Sequence, residues 1–308
     1  MSAGDSDSDF YGDAETVSAL QSRVDSFDVE GWSRDRADLS IPIPQQQVKT
    51  EPGTAQLHNP YAGLHYARQL GETVDEFLTR LPPATTDATP DLEWIYIYNP
   101  HIPRKDNQSP ESQLVRGCEN EGPLGPQTRL GTFMEGGTAR LHLLRDFIEK
   151  SNASGRAKTV IGREIDRARG EAVRDILALA HMSHVRCGKW MLFPEPADVT
   201  EVWRAVARAT ADGELGIAAK VAPRAKEGPD KARLICIYTK DFIDKDDLLR
   251  VLIRMKDLGL VKPAGRPIYY KCDAYTYLGI GSGNVWTIKA SLYSSTDIIA
   301  HGKGVDKG

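Results

Sequence analysis

The alternation of apolar and polar residues between Cys187 and Tyr293 constrains this chain more than any other stretch. It reads as strand, helix, strand, strand, helix, strand, with one lysine on the polar phase of each of three strands. In CGKWMLF, Lys189 is out of phase with Trp190 and Leu192. In GIAAKVAP, Lys220 is out of phase with Ile217, Ala219 and Val221. In PIYYKCD, Lys271 alternates with Ile268, Tyr270 and Cys272. Successive side chains of a strand point to opposite faces, so each lysine is expected to leave a buried face for a solvated one. A sheet face carrying lysines among aromatic rings suits a phosphate-bearing ligand.

The helices of this block announce themselves by their ends. Asp198 with Glu201 three residues on resembles a capping box, Val199, Val202, Trp203 and Val206 form a stripe, and Gly213 is a stop. Asp244 opens the second helix, Leu248, Val251, Leu252 and Met255 face the core, and Gly259 follows. Residues 215–222 and 232–239 are strands joined by the basic loop PRAKEGPDK, with Arg224, Lys226 and Lys231. YTYLGI and NVWTIKASLY flank Gly281-Ser282-Gly283, which predicts a hairpin with Lys289 on the polar phase of its last strand.

Upstream, the spacing of Leu64, Ala67, Leu70, Val74, Phe77 and Leu78 predicts an amphipathic helix over 61–81, ended by Pro82 and Pro83. LEWIYIYNP, 92–100, is a strand, 100–136 a long loop, and Thr138–Lys150 and Arg163–Ala180 are helices. Of the tryptophans, Trp190, Trp203 and Trp286 read as core. Trp94 can face either way and Trp32 lies in the tail.

Residues 1–60 hold eleven acidic and four basic residues, a net −7; the whole chain is −4, so the remainder carries +3. Being polar, acidic and poor in aromatic residues, 1–60 is expected to be a disordered acidic arm. Ser6 and Ser8 suit an acid-directed kinase and Lys49 in VKTE fits a sumoylation pattern, yet a merely solvated tail is favoured. A mildly basic folded part permits an anionic ligand without indicating general nucleic-acid binding. No apolar run reaches the roughly 18 residues of a membrane span, so no membrane partner is expected. The start MSAGDSDSDF lacks the features of a secretory signal, and Cys118, Cys187, Cys236 and Cys272 make no CxxC pair. We therefore expect free thiols and a cytoplasmic protein, or one shared with the nucleus.

Catalytic patterns are missing: there is no HExxH, GxSxG or P-loop. GIGSGN, 279–284, is followed by β-formers rather than a helix and reads as a turn. His181, His184 and Cys187 lack an evident fourth ligand, so they read as a helix end running into a strand.

The series GKWMLF, DVTEVWRAVARAT, GIAAKVAPRAK, ARLICIYT, DDLLRVLIRMKDLGL and PIYYKCDAYTYLGI resembles the family of basophilic-leukaemia-expressed proteins. The resemblance covers about residues 90–295 and is strongest from Gly188 to Trp286. It implies a fold similar to the cap-binding translation initiation factor 4E. The features implied are a strand start at Gly188-Lys189-Trp190, a helix with an early Trp203, and a basic loop with Arg224 and Lys226. In the cap-binding factors that loop holds the cap triphosphate. LALAHMSHVRC, before Gly188, has neither the second tryptophan nor the glutamate that cap binding needs, so the usual cap recognition is not expected. The same element order also fits a ferredoxin-like RNA recognition module, which ranks second because CGKWMLF and RLICIYT lack its aromatic motif.

The expectation is an α+β fold: a curved, mostly antiparallel sheet with helices on one face, forming a single domain over 61–300 with a flexible tail at 301–308. The expected function is non-catalytic binding of RNA or a phosphorylated nucleotide. Lys189, Lys220 and Lys271 would act from the sheet, with Arg224 and Lys226 reaching from the loop. No metal or cofactor is expected. A protein–protein adaptor using the acidic arm is one alternative. The other is an enzyme on a phosphorylated small molecule, for which Asp273, Tyr275 and Tyr277 are the residues to inspect.

Overall fold

Two faces of one sheet are written into its strands by period-two alternation. The computed structural model describes residues 57–102, 127–229, 231–262 and 265–305, together with Ser22, Ser26, Gly122 and Gly125. Contacts divide the chain into residues 1–54 and 55–308. In the first unit the Ser26 N–H donates to the Ser22 carbonyl at 3.0 Å. Ser6, Ser8, Trp32, Lys49 and Cys118 lie outside the described residues.

The second unit holds β1 (Ile95–Tyr98), β2 (Gly188–Leu192), β3 (Ala218–Val221), β4 (Ile235–Thr239), β5 (Tyr269–Cys272) and β6 (Tyr293–Ser294). They form one sheet in the order β1-β3-β4-β2-β5-β6, every neighbouring pair antiparallel. On one face Ile95, Ile97, Trp190, Ala219, Val221, Ile235, Ile237 and Tyr270 are buried in the main core. Helices cover that face. Val199, Trp203, Val206 and Ala207 come from α4 (Val199–Ala211), and Leu248, Val251, Leu252 and Met255 from α5 (Lys245–Asp257). Their i, i+3, i+4 spacing makes the apolar stripe that a sheet face can bury. Gly213 at φ +76° and Gly259 at φ +72° stop the two helices in the left-handed conformation where glycine carries no Cβ penalty.

The same core takes one face of a long helical pair, α2 (Leu130–Ala153) and α3 (Lys158–Met182). A Cβ at Gly136 would stand 2.7 Å from Leu179 of α3, so the glycine lets the helices close on each other. Both helices run beyond their predicted ends, because Phe133 at the start of α2 and Ile161 near that of α3 are also buried.

Several expectations fail locally. The helix predicted over 61–81 is confined to α1 (Val74–Arg80). Before it, the Arg68 N–H donates to the Tyr96 carbonyl and the Tyr96 N–H to the Tyr66 carbonyl, both at 3.0 Å, so the segment lies along the edge of β1. The Gln69 amide donates to the carbonyls of Tyr61, Leu64 and Ala67. A reciprocal Thr73/Glu76 capping box then starts the helix at residue 74. The hairpin after Lys271 is absent. Asp273–Tyr277 form a short helix, α6, because Ala274, Tyr275 and Leu278 are drawn into the core. Asn284 clamps the following loop through the Gly281 and Ile288 carbonyls and the Ile288 N–H, leaving Lys289 exposed on a loop rather than a strand. Asp198 makes no side-chain cap, whereas Asp244 accepts from the Asp247 N–H at 3.0 Å. Finally, α7 (Ser295–Val305) runs into the segment expected to be a tail.

Candidate anion-binding face

Register decides what the second sheet face presents. Lys189 stands opposite Lys271 on β5 and opposite Tyr238 on β4, which in turn pairs with Ala218 on β3. Two residues along, a second row runs Tyr96, Lys220, Cys236, Met191. The rows lie about 7 Å apart along the strands. All three sheet lysines therefore share one face. Lys189 and Lys220 are directed at the same Tyr238 ring, their Nζ atoms 5.5 and 5.8 Å from its centroid.

That face is not solvated as the alternation suggested. Lys189 is 4% and Lys220 2% exposed, and Lys271 is half-buried. Tyr61, Ala67, Tyr96, Tyr98, Ala218, Cys236 and Tyr238 make a second apolar cluster on it. The edge segment around residues 61–67, read from sequence as part of an amphipathic helix, helps to cover the face.

Each buried ammonium is held differently. Lys189 Nζ donates to Asp273 Oδ1 at 2.9 Å and to Thr276 Oγ1 at 3.1 Å. Asp273 stands there because the backbone turns from β5 into α6 at that residue, with its N–H donating to the Cys187 carbonyl at 2.9 Å. Its other oxygen accepts from the Gly122 N–H at 3.1 Å. Lys220 Nζ lies 4.0 Å from the centroid of Trp94 and 5.9 Å from that of Tyr96. Aromatic faces attract a cation, most strongly when water is excluded. Burial nevertheless pulls Lys220 down from 10.5 to about 8, with Lys189 adding repulsion. At neutral pH it remains mostly protonated. Lys271 is also lowered, first by burial and then by Lys189. Burial raises the Cys236 thiol, keeping it in the neutral form.

The loop after β3 adds Arg224, whose Nε donates to Asp87 Oδ1 at 2.7 Å and whose backbone bridges residues 86–88. That hydrogen bond holds Asp87 below its usual value. Lys226 is exposed beside this pair. Of the other candidates, Tyr275 is buried in the main core and Tyr277 packs against it, so neither joins the lysines. His181, in the last turn of α3, faces Asp241 at 3.6 Å.

Sequence reasoning missed Trp94, Tyr238 and Thr276 as partners of the lysines. The phases of Trp94 and Tyr238 were readable but which strand faces which was not, and Thr276 lies in a segment read as a strand that is helical. The pairing Tyr96–Lys220 is what brings the β1 aromatics to the lysine side.

An antiparallel six-stranded sheet covered by helices on one face defines an α+β protein, with a buried cationic and aromatic surface on the other. The chain belongs to the family of the basophilic leukemia-expressed protein Bles03, whose profile matches residues 20–279. This is the family that the residues from GKWMLF onward resemble. Among solved structures it is similar to Ascaris suum eIF4E-3 in complex with an m2,2,7G cap (16% identity, TM-score 0.27) and with an m7G cap (19%, 0.26). These matches cover 36% of this chain and 59% and 58% of those chains. No helix among the described residues is long and apolar enough to cross a membrane.

Proposed function

We propose that this chain is a non-catalytic binding protein whose lysine-bearing sheet face takes a phosphorylated ligand, RNA or a nucleotide. The observation that carries this reading is the convergence of Lys189, Lys220 and Lys271 on one face, two of them over a single tyrosine ring. Cations gathered at a low-dielectric surface focus a positive field, and phosphate is the biological group that such a field attracts most generally. The burial of the three differs, and so do their proposed roles. Half-buried Lys271 meets the ligand, with exposed Lys226 and, on exchange of its Asp87 partner, Arg224 at the end of β3. Lys220 adds to the field from below, and Lys189, neutralised by Asp273, holds the shape.

The test is binding of the full chain to a labelled single-stranded RNA and to nucleoside triphosphates, for the natural protein and Lys271→Glu. Affinity that falls steeply with salt and is lost in the variant supports the proposal. Unchanged affinity in Lys271→Glu removes that lysine from the site. Salt-insensitive failure to bind either probe favours the protein–protein adaptor.

A further inference from the structure

Between α5, α7 and the residues following α5 lies a cavity of about 570 Å³. That volume falls within the range of small-molecule sites, roughly 300–1,000 Å³. Its walls come from three directions. Leu249 and Leu252 belong to α5, Val261 follows that helix, and Ile299 projects from α7. The two helices approach closely at one point of the lining, since a Cβ at Gly302 would stand 2.5 Å from Leu249. The polar part of the lining is unevenly charged. Lys256, Lys262 and Arg266 are exposed at the rim, and none makes an ion pair among the described residues. Among the described residues of the lining the one carboxylate is Asp246, which lies 3.7 Å from His301 Nε2.

An apolar interior under a cationic rim is complementary to a molecule with a hydrocarbon body and an anionic head. A cationic amphiphile would meet like charge at the mouth. A fully polar anion would leave Leu252, Val261 and Ile299 facing water. We infer that the α5–α7 cavity is a binding site for a small single-chain amphiphile with a carboxylate or phosphate head, separate from the sheet-face site.

The experiment is calorimetric titration of the full chain with dodecanoate and dodecyl phosphate, beside dodecanol and dodecyltrimethylammonium as tails with neutral and positive heads. One saturable site for either anionic probe is expected, at least about tenfold tighter than for dodecanol. The doubly reversed Lys262→Glu/Arg266→Glu protein should lose about tenfold or more in that affinity. Both side chains are exposed, so the variant retains its fold, checked by thermal melting. Ile299→Trp, which fills the cavity, should abolish binding of all tails. Equal affinity for dodecanoate and dodecanol, an unaffected double variant, or no saturable binding of either anionic probe overturns the assignment. Which anionic probe binds tighter identifies the headgroup.

Discussion

Lys189 and Asp273 form an ion pair of 2.9 Å whose side chains are 5% and 1% exposed. A pair so deeply enclosed is worth little against two apolar groups, but each partner is costly to leave alone. Asp273→Ala should therefore destabilise the protein by about 3 kcal/mol or more, since it strands the ammonium and orphans the Gly122 N–H. The double variant Lys189→Met/Asp273→Ala should recover part of that loss. Urea denaturation of the four proteins measures the coupling, and strict additivity would show that the contact does not act as a pair.

Lys220 gives the protein a pH dependence of defined sign. Its folded value of about 8 lies below the ordinary 10.5. Between these values the unfolded chain binds more protons than the folded one, so stability rises with pH. The cost of burying the ammonium is present in full below about pH 8 and is relieved as pH climbs towards 10.5. Comparing the natural protein with Lys220→Met cancels the other titrating groups. The stability difference should shift by about 2–3 kcal/mol in favour of the natural protein between pH 7 and 10.5. A difference that is flat with pH would mean that this lysine is not desolvated.

Gly216 passes so close to β4 that a Cβ there would lie 1.8 Å from the Tyr238 carbonyl oxygen. That oxygen accepts the Ile217 N–H at 2.9 Å and belongs to backbone, which cannot step aside as a side chain can. Gly216→Ala should cost about 2 kcal/mol or more, read as a lower denaturation midpoint with an unchanged slope.

Asp87 holds Arg224 in an exposed ion pair. If Arg224 serves the phosphate site, Asp87→Ala should tighten RNA binding, because a carboxylate that competes with phosphate for the guanidinium is removed. The log–log salt dependence should steepen by about one unit, reflecting one more phosphate contact. Fluorescence anisotropy over a salt series checks this. Weaker binding in Asp87→Ala would instead make the pair a brace for the loop.

Strands β1 to β5, the paired helices and the phases of Lys189, Lys220 and Lys271 were legible because each rests on periodicity within a few residues. Gly213 and Gly259 ended α4 and α5 as their sequence positions indicated. The segment 61–73 was misread because its apolar spacing fits a helix, while its partner on β1 lies some thirty residues away. YTYLGI was misread for a related reason. Its β propensity yields to the burial of Tyr275 and Leu278, which helix α6 achieves and a hairpin would not.

Sequence alone determined which side chains share a face within each strand, since that follows from the pleat. Tertiary structure decided which strands are neighbours and therefore which charges meet. Nothing local in GKWMLF or PIYYKC says that Lys189 and Lys271 stand opposite each other. Nor does it say that Asp273 closes over one of them while Trp94 covers Lys220. Burial of a charge is a property of everything packed around it, contributed by segments far apart in the chain. The lysine pattern was visible along the strands, but its enclosure existed only once the sheet had assembled.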